Sequence, residues 1–212
     1  GRRAKRFVWE DYLKPGLPVS LRVSCQRSKL FHSGAVAERV GESIGARLGR
    51  VPPAGKLKEG ADGPQLIMVR LVENRCTISM DSSGALLHRR GYRLATAKAP
   101  LRETLAAGML LASGWDLTSP LLDPFCGAGT IPIEAALMAR RIAPGLRRRF
   151  AFMDWPTFDE GIWERQRAEA REVRVKSRPL LIASDRDAGA IQAALANAER
   201  AGVADGIDFS CR

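Results

Sequence analysis

Histidine, cysteine and lysine are scarce in this 212-residue sequence. There are two histidines, His32 and His88, and four widely separated cysteines, Cys25, Cys76, Cys126 and Cys211. No CxxC pair or Cys/His cluster occurs. Zinc-finger and disulfide-scaffold readings are therefore excluded, no metal is expected, and a reducing, cytoplasmic compartment is the simplest setting. Long apolar runs are missing too, so no membrane span is expected, and nothing at the start has the build of a signal peptide. The basic opening, residues 1–6, lacks an apolar follow-on and reads as a solvated arm or a domain edge. Gly-Lys-Ser/Thr is absent, which excludes a P-loop. No internal repeat is visible.

Arginine is plentiful. The chain holds 34 Lys+Arg against 23 Asp+Glu, a net charge of +11, and 27 of the 34 are arginine. Such a balance favours a polyanionic partner, most often nucleic acid. The excess is local: residues 1–93 carry 18 basic and 8 acidic side chains, residues 94–212 carry 16 and 15. A basic module followed by a nearly neutral one is expected, with the boundary at 93/94. Hydrophobic content of 45% with 27% charged residues excludes wholesale disorder, and the length suits one or two domains with a sizeable core.

Residues 19–25 alternate apolar and polar and predict a half-buried strand. Val36, Val40, Ile44 and Leu48 form a helical stripe. Residues 49–64 are Gly- and Pro-rich and read as a loop, and 65–73 and 76–81 predict two strands joined at Asn74-Arg75. This order implies one helix packed on a small antiparallel sheet. In the second region a helix is expected from Pro100 to about Ser113, with Leu101, Leu105, Met109 and Ala112 inward. Buried strands at 120–123, 180–185 and 207–210 alternate with helices at 131–141 and 187–200, the signature of a parallel α/β sheet. The intervening stretch carries Arg147-Arg148-Arg149 and the aromatics Phe150, Phe152, Trp155 and Phe158. Aromatics beside arginines can stack on bases; a satellite core under a long loop is the weightier reading.

The chemistry-bearing stretch is Asp123-Pro124-Phe125-Cys126-Gly127-Ala128-Gly129-Thr130. It leaves a strand and opens a helix, where open α/β sheets bind ligands. Gly127 and Gly129 let backbone approach a ligand, and Asp123 can hold a cationic or hydroxyl-bearing group. Asp185 ends the next strand, where a carboxylate can accept from both ribose hydroxyls. A dinucleotide fingerprint would require a third glycine, where Pro132 stands, and an acid about 20 residues on. An adenosine-type cofactor without a pyrophosphate fits better, S-adenosylmethionine above all. Cys126 reads as a small loop residue and not a nucleophile.

The 123–130 run, the 98–107 stretch beginning Lys98-Ala99-Pro100-Leu101-Arg102-Glu103, Ile133-Glu134-Ala135-Ala136, Ser184-Asp185-Arg186-Asp187 and Asn197-Ala198-Glu199-Arg200-Ala201-Gly202 resemble the THUMP-domain RNA methyltransferases. The resemblance is greatest to the bacterial 23S ribosomal RNA guanine-N2 branch. Arg27-Ser28-Lys29-Leu30-Phe31-His32-Ser33 and Gly91-Tyr92-Arg93 resemble landmarks of the THUMP domain itself. The resemblance implies a THUMP-like α+β domain at 1–93 and part of a Rossmann-like methyltransferase domain at 94–212. S-adenosylmethionine would lie in the 123–130 loop, with Asp185 on its ribose and the segment containing Pro100 and Leu101 near its methionine end. RNA, 23S ribosomal RNA in particular, would be docked through phosphate contacts from Arg22, Arg27, Lys29, Arg70, Arg89 and Arg90.

The family's catalytic Asn/Asp-Pro-Pro-aromatic tetrapeptide does not occur. The only Pro-Pro, Pro52-Pro53, precedes Ala54. No catalytic residue is assigned on this basis. The sequence is expected to be an interior segment of a longer enzyme that alone lacks turnover and binds the cofactor weakly. Adenine-N6 methylation of DNA or RNA, and non-catalytic RNA binding on a vestigial methylase fold, stand as alternatives.

Overall fold

The computed structural model describes residues 2–55, 63–94 and 101–212. They form two compact units. One comprises Gly1–Leu86 with Arg149–Glu160, the other Leu87–Arg148 with Gly161–Arg212. This division differs from the expected 93/94 boundary in two ways. Residues 87–93 join the second unit because Arg90, Tyr92 and Arg93 hydrogen-bond to side chains of that unit, and the aromatic stretch returns to the first.

In the first unit a short helix α1 (Arg2–Lys5) precedes strand β1 (Val19–Gln26), helix α2 (Ser33–Leu48) and strands β2 (Gln65–Val72) and β3 (Arg75–Met80). Helix α2 ends where Gly49 adopts φ +80°, a left-handed C-cap that glycine takes without strain. The sheet order is β1-β2-β3. The antiparallel expectation holds only for β2 with β3; β1 and β2 run parallel. The reason is the connection: a full helix carries the chain back, making β1-α2-β2 a crossover unit, whereas the tight Glu73-Asn74 turn, both residues at positive φ, makes a hairpin. Alternation along the strands sends Ile67, Val69 and Leu71 against Val40 and Ile44, with Trp9, Leu13 and Val19 completing the core. Phe150, Phe152, Trp155 and Phe158 form an aromatic cluster that reaches Tyr12, and Trp155 Nε1 donates to Gln65 Oε1 at 2.8 Å. These rings are a satellite core, half-buried against one another.

The second unit holds α3 (Glu103–Ala112), β4 (Leu121–Asp123), α4 (Thr130–Ala139), all but the first residue of α5 (Glu160–Glu172), β5 (Leu181–Asp185), α6 (Ala188–Ala201) and β6 (Ile207–Cys211). Strands β4, β5 and β6 lie side by side and parallel, as the intervening helices required. The expected burial is corrected at β4, where Leu122 is exposed, and at Leu180, because β4 is an edge strand paired, among the described residues, only with β5. Asp187 caps α6 by accepting from the amides of Gly189 and Ala190. The expected inner face of the helix near 100–113 is corrected. Leu105 and Met109 are more than half exposed, and α3 buries Glu103, Ala106 and Leu110 instead. The i, i+3, i+7 stripe chosen by this helix is the one that seats a carboxylate, for a reason given by Arg93 below. The expected start at Pro100 lies outside the described residues. No described helix is long and apolar enough to cross a membrane.

Candidate functional site: the acid-tipped strands and their glycine turn

Each part of the loop has a local cause. Strand β4 stops at Asp123, whose Oδ1 accepts from Phe125 N at 3.1 Å and turns the backbone. Cys126 N then donates to Ser184 O at 2.9 Å, stitching the loop to the end of β5. Gly127 follows at φ +52° and Gly129 at φ +81°. The two glycines have different jobs. A Cβ on Gly129 would lie 3.0 Å from Ala194 Cβ, so this glycine lets α6 approach the start of α4. A Cβ on Gly127 would meet nothing within 4 Å. The backbone at Gly127 is therefore open to close approach.

Asp185 closes the other side. Its Oδ2 accepts from Gly127 N at 2.9 Å and its Oδ1 from Asp187 N at 3.0 Å. Those two amides hold the carboxyl below the usual carboxylate range. Each oxygen retains a lone pair, so an ionised Asp185 with a fixed orientation can still accept from a ligand's hydroxyls. Asp123 behaves oppositely. Burial, opposed by the Phe125 amide and reinforced by the charge of Asp185, pushes it up. Burial, with the same two charges, pushes the Cys126 thiol up to about 12. A thiol so protonated is no nucleophile, in keeping with its reading as a small loop residue.

Beneath the loop lies a polar layer that sequence reasoning missed. Arg93 Nη2 donates to Thr130 Oγ1 at 2.6 Å and to Leu101 O at 2.8 Å, while its Nε lies 3.8 Å from buried Glu103. One guanidinium therefore ties Leu101 to the first residue of α4, and the demand for a carboxylate beside it sets the buried face of α3. Glu134, almost fully buried on α4, accepts from Tyr92 OH at 3.1 Å and pairs with Arg90 at 3.4 Å. Burial raises its carboxyl against the opposing pull of Arg90, and burial and the two nearby glutamates raise the Tyr92 phenol. Asn197 Nδ2 donates to Ala128 O at 3.0 Å from the interior of α6. Asn197 in an alanine-rich helix and Glu134 in an apolar one were the signals in the sequence that could have flagged this layer, since a polar side chain on an apolar helix needs a partner once buried.

The structure thus brings Asp123, Gly127 and Asp185 together. Cys126, Ala128, Gly129 and Thr130 are buried as scaffold, Pro124 and Phe125 are exposed, and Leu101 reaches the loop through Arg93. Pro100 lies outside the described residues. Among the basic candidates, Arg22, Arg27, Lys29, Arg70 and Arg89 are exposed or half-exposed. Arg90 is corrected: its side chain is 15% exposed and its charge is matched by Glu134 inside the second unit, so it is not presented to a phosphate.

Parallel strands, two of them tipped with acids, a two-glycine turn and a helix start define the class: a mixed α/β fold of the kind whose open parallel sheets take ligands at the carboxyl ends of the strands. The chain belongs to the family described as RMKL-like, methyltransferase domain, whose family model matches residues 90–212. A Synechocystis relative, provisionally named an RNA methyltransferase, is 37% identical over 205 residues, covering 94% of this chain and 52% of that protein. The ribosomal RNA large subunit methyltransferase K/L of Shewanella frigidimarina is 51% identical over 140 residues, 63% of this chain and 20% of that one. This chain therefore spans about half the length of the first relative, and less of the second. Among solved structures, a Listeria monocytogenes protein described by prediction as an N6-adenine-specific DNA methylase superposes with a TM-score of 0.85 at 34% identity, covering 100% of this chain and 56% of that one. SMU.472, a provisionally assigned methyltransferase complexed with SAH, gives 0.79 at 30% identity, covering 99% and 56%.

Proposed function

We propose that this chain binds S-adenosylmethionine in the 123–130 loop and serves methylation of RNA, with guanine N2 of 23S ribosomal RNA as the acceptor. The observation that carries the reading is Asp185, a carboxylate kept ionised and oriented by two backbone amides beside the open space at Gly127. The residues present fit the cofactor. Asp185 would accept from its ribose hydroxyls, Gly127 offers backbone at close approach, and Asp123 offers a carboxylate to a cationic or hydroxyl-bearing part. When bound, the cofactor supplies an electrophilic methyl group on a sulfonium. The chain's own contribution is to bind and orient, and no catalytic side chain is assigned. The complex of SMU.472 with SAH and the names of the Synechocystis and Shewanella relatives support cofactor and substrate class.

The first unit, basic and built as α2 on a three-stranded sheet, is read as a THUMP-like RNA-docking module, with Arg22, Arg27, Lys29, Arg70 and Arg89 as phosphate-contact candidates. Adenine N6 is the second reading, favoured by the description of the Listeria structure. Equilibrium dialysis with labelled S-adenosylmethionine tests the site: Asp185→Ala is expected to weaken binding tenfold or more, because a charge-assisted hydrogen bond contributes about 1.5–3 kcal/mol. No binding by the unaltered chain would sink the reading. Nucleoside mass spectrometry of ribosomal RNA from cells with and without the gene separates the acceptors: loss of N2-methylguanosine supports the first, loss of N6-methyladenosine the second.

A further inference from the structure

Alternation gives the β1–β3 sheet two faces. One packs on α2; the other presents Arg22 and Ser24 from β1, Arg70 from β2, and Arg75, Thr77 and Ser79 from β3, all exposed. Register fixes where the three arginines stand. Arg22 pairs with Met68, and Arg70 is two residues further along β2. Arg75 pairs with Val72, two residues beyond Arg70. The guanidinium-bearing positions therefore run diagonally across the sheet, one per strand, with neighbouring Cα atoms about 7–8 Å apart.

No strand residue on this face is acidic, and none of the three arginine side chains has a hydrogen bond or ion pair with a described residue. Elsewhere in the same unit arginines are matched: Arg39 with Glu42, Arg47 with Glu10, Arg149 with Asp154. At the end of the sheet where the diagonal finishes, Arg27 and Lys29 add two further cations. Their loop is pinned to the β2–β3 turn by Lys29 N to Asn74 Oδ1 at 2.8 Å and Asn74 N to Ser28 Oγ at 3.0 Å.

We infer that this open sheet face is the RNA-docking surface of the protein, with Arg22, Arg70 and Arg75 contacting successive phosphates and Ser24, Thr77 and Ser79 donating between them. A row of separated cations without counter-acids suits an extended polyanion; a small anion would need the cations to converge. The inference rests on the RNA reading above and deepens it, and Arg75 enters on geometry alone.

The test measures RNA binding by fluorescence anisotropy across a salt series, using the full 212-residue chain and a ribosomal RNA hairpin with single-stranded flanks. The triple variant Arg22→Gln, Arg70→Gln, Arg75→Gln is expected to bind at least tenfold more weakly and to lose about 2 from the slope of log K against log salt, since each single-strand phosphate contact contributes about 0.7. The triple lysine variant is expected to keep most of that slope, and both variants to bind S-adenosylmethionine as the unaltered chain does. If the glutamine variant keeps the affinity and slope of the parent, the docking face is wrong and the RNA reading stands. If the unaltered chain binds no RNA while still binding the cofactor, both fall.

Discussion

The first unit builds its core from large side chains, Trp9, Leu13, Val40, Ile44, Ile67 and Leu71, and keeps its charges outside. The second packs Ala135, Ala136, Ala183, Ala198 and Ala201 with a few large residues and carries Glu103, Glu134 and Asn197 buried. Small side chains let helices and strands approach closely, and close approach is what brings the amides of Gly127 and Asp187 onto one carboxylate. A site made of backbone needs short side chains around it. The first unit has no such demand on close approach, and its large-residue core holds a three-stranded sheet with arginines on the open face. The same contrast governs particular arginines: Arg90 and Arg93 pair with buried glutamates in the second unit, whereas the side chains of Arg22, Arg70 and Arg75 have no described partner on the open sheet face of the first.

The largest effect expected from breaking this contrast is at Arg93. Its loss leaves Glu103 buried and uncompensated beside the start of α4, so Arg93→Ala should cost about 3–5 kcal/mol by urea unfolding. An effect below 1 kcal/mol would show that the buried pair does not hold α3 in place. The two cores should respond to size in opposite directions. Ile67→Ala in the first unit leaves a cavity and should cost about 2–5 kcal/mol. Ala198→Leu in the second overfills a closed helix–sheet contact and should cost about 1–3 kcal/mol; hydrogen exchange by unit would show each loss confined to its own core.

The glycines provide a finer comparison. Gly129→Ala combines a left-handed backbone with the Ala194 contact and should cost about 2–4 kcal/mol, whereas Gly127→Ala, with open space beside it, should cost only about 1 kcal/mol. The second variant should nonetheless lose cofactor binding, a split that calorimetry and thermal unfolding would read together.

The smallest effect is on pH. Asp123 has a raised pKa, so its carboxylate is lost at a higher pH than an ordinary aspartate's as pH falls. Cofactor affinity should be flat above that point and decline below it, toward tenfold per pH unit. The sign for folding is opposite: a raised acid takes up its proton more readily folded than unfolded and favours the fold more as pH falls. Asp185, held low by its amides, contributes stability above its unfolded value and loses it as pH falls through the folded one. Asp123→Asn should flatten the binding profile; an unchanged profile would remove Asp123 from the cofactor's contacts.

Sequence alone determined the elements and the loop. Pattern located β1, β2, β3 and the three parallel strands to within a residue or two and found the stripe of α2, because most of these elements bury one face or one run. The 123–130 turn and the acid at Asp185 were legible as a strand-to-helix turn and a strand end, because a tight turn at positive φ favours glycine and the two ends meet where Gly127 N donates to Asp185. Tertiary structure alone decided the parallel pairing of β1 with β2, the inward face of α3, the withdrawal of Arg90 into a pair with Glu134, and the alignment of Arg75 with Arg22 and Arg70. Each of these depends on which residues meet across separations of 3 to 46 positions in sequence. A pattern of periods records which side of an element is apolar; it does not record which carboxylate a given arginine will find.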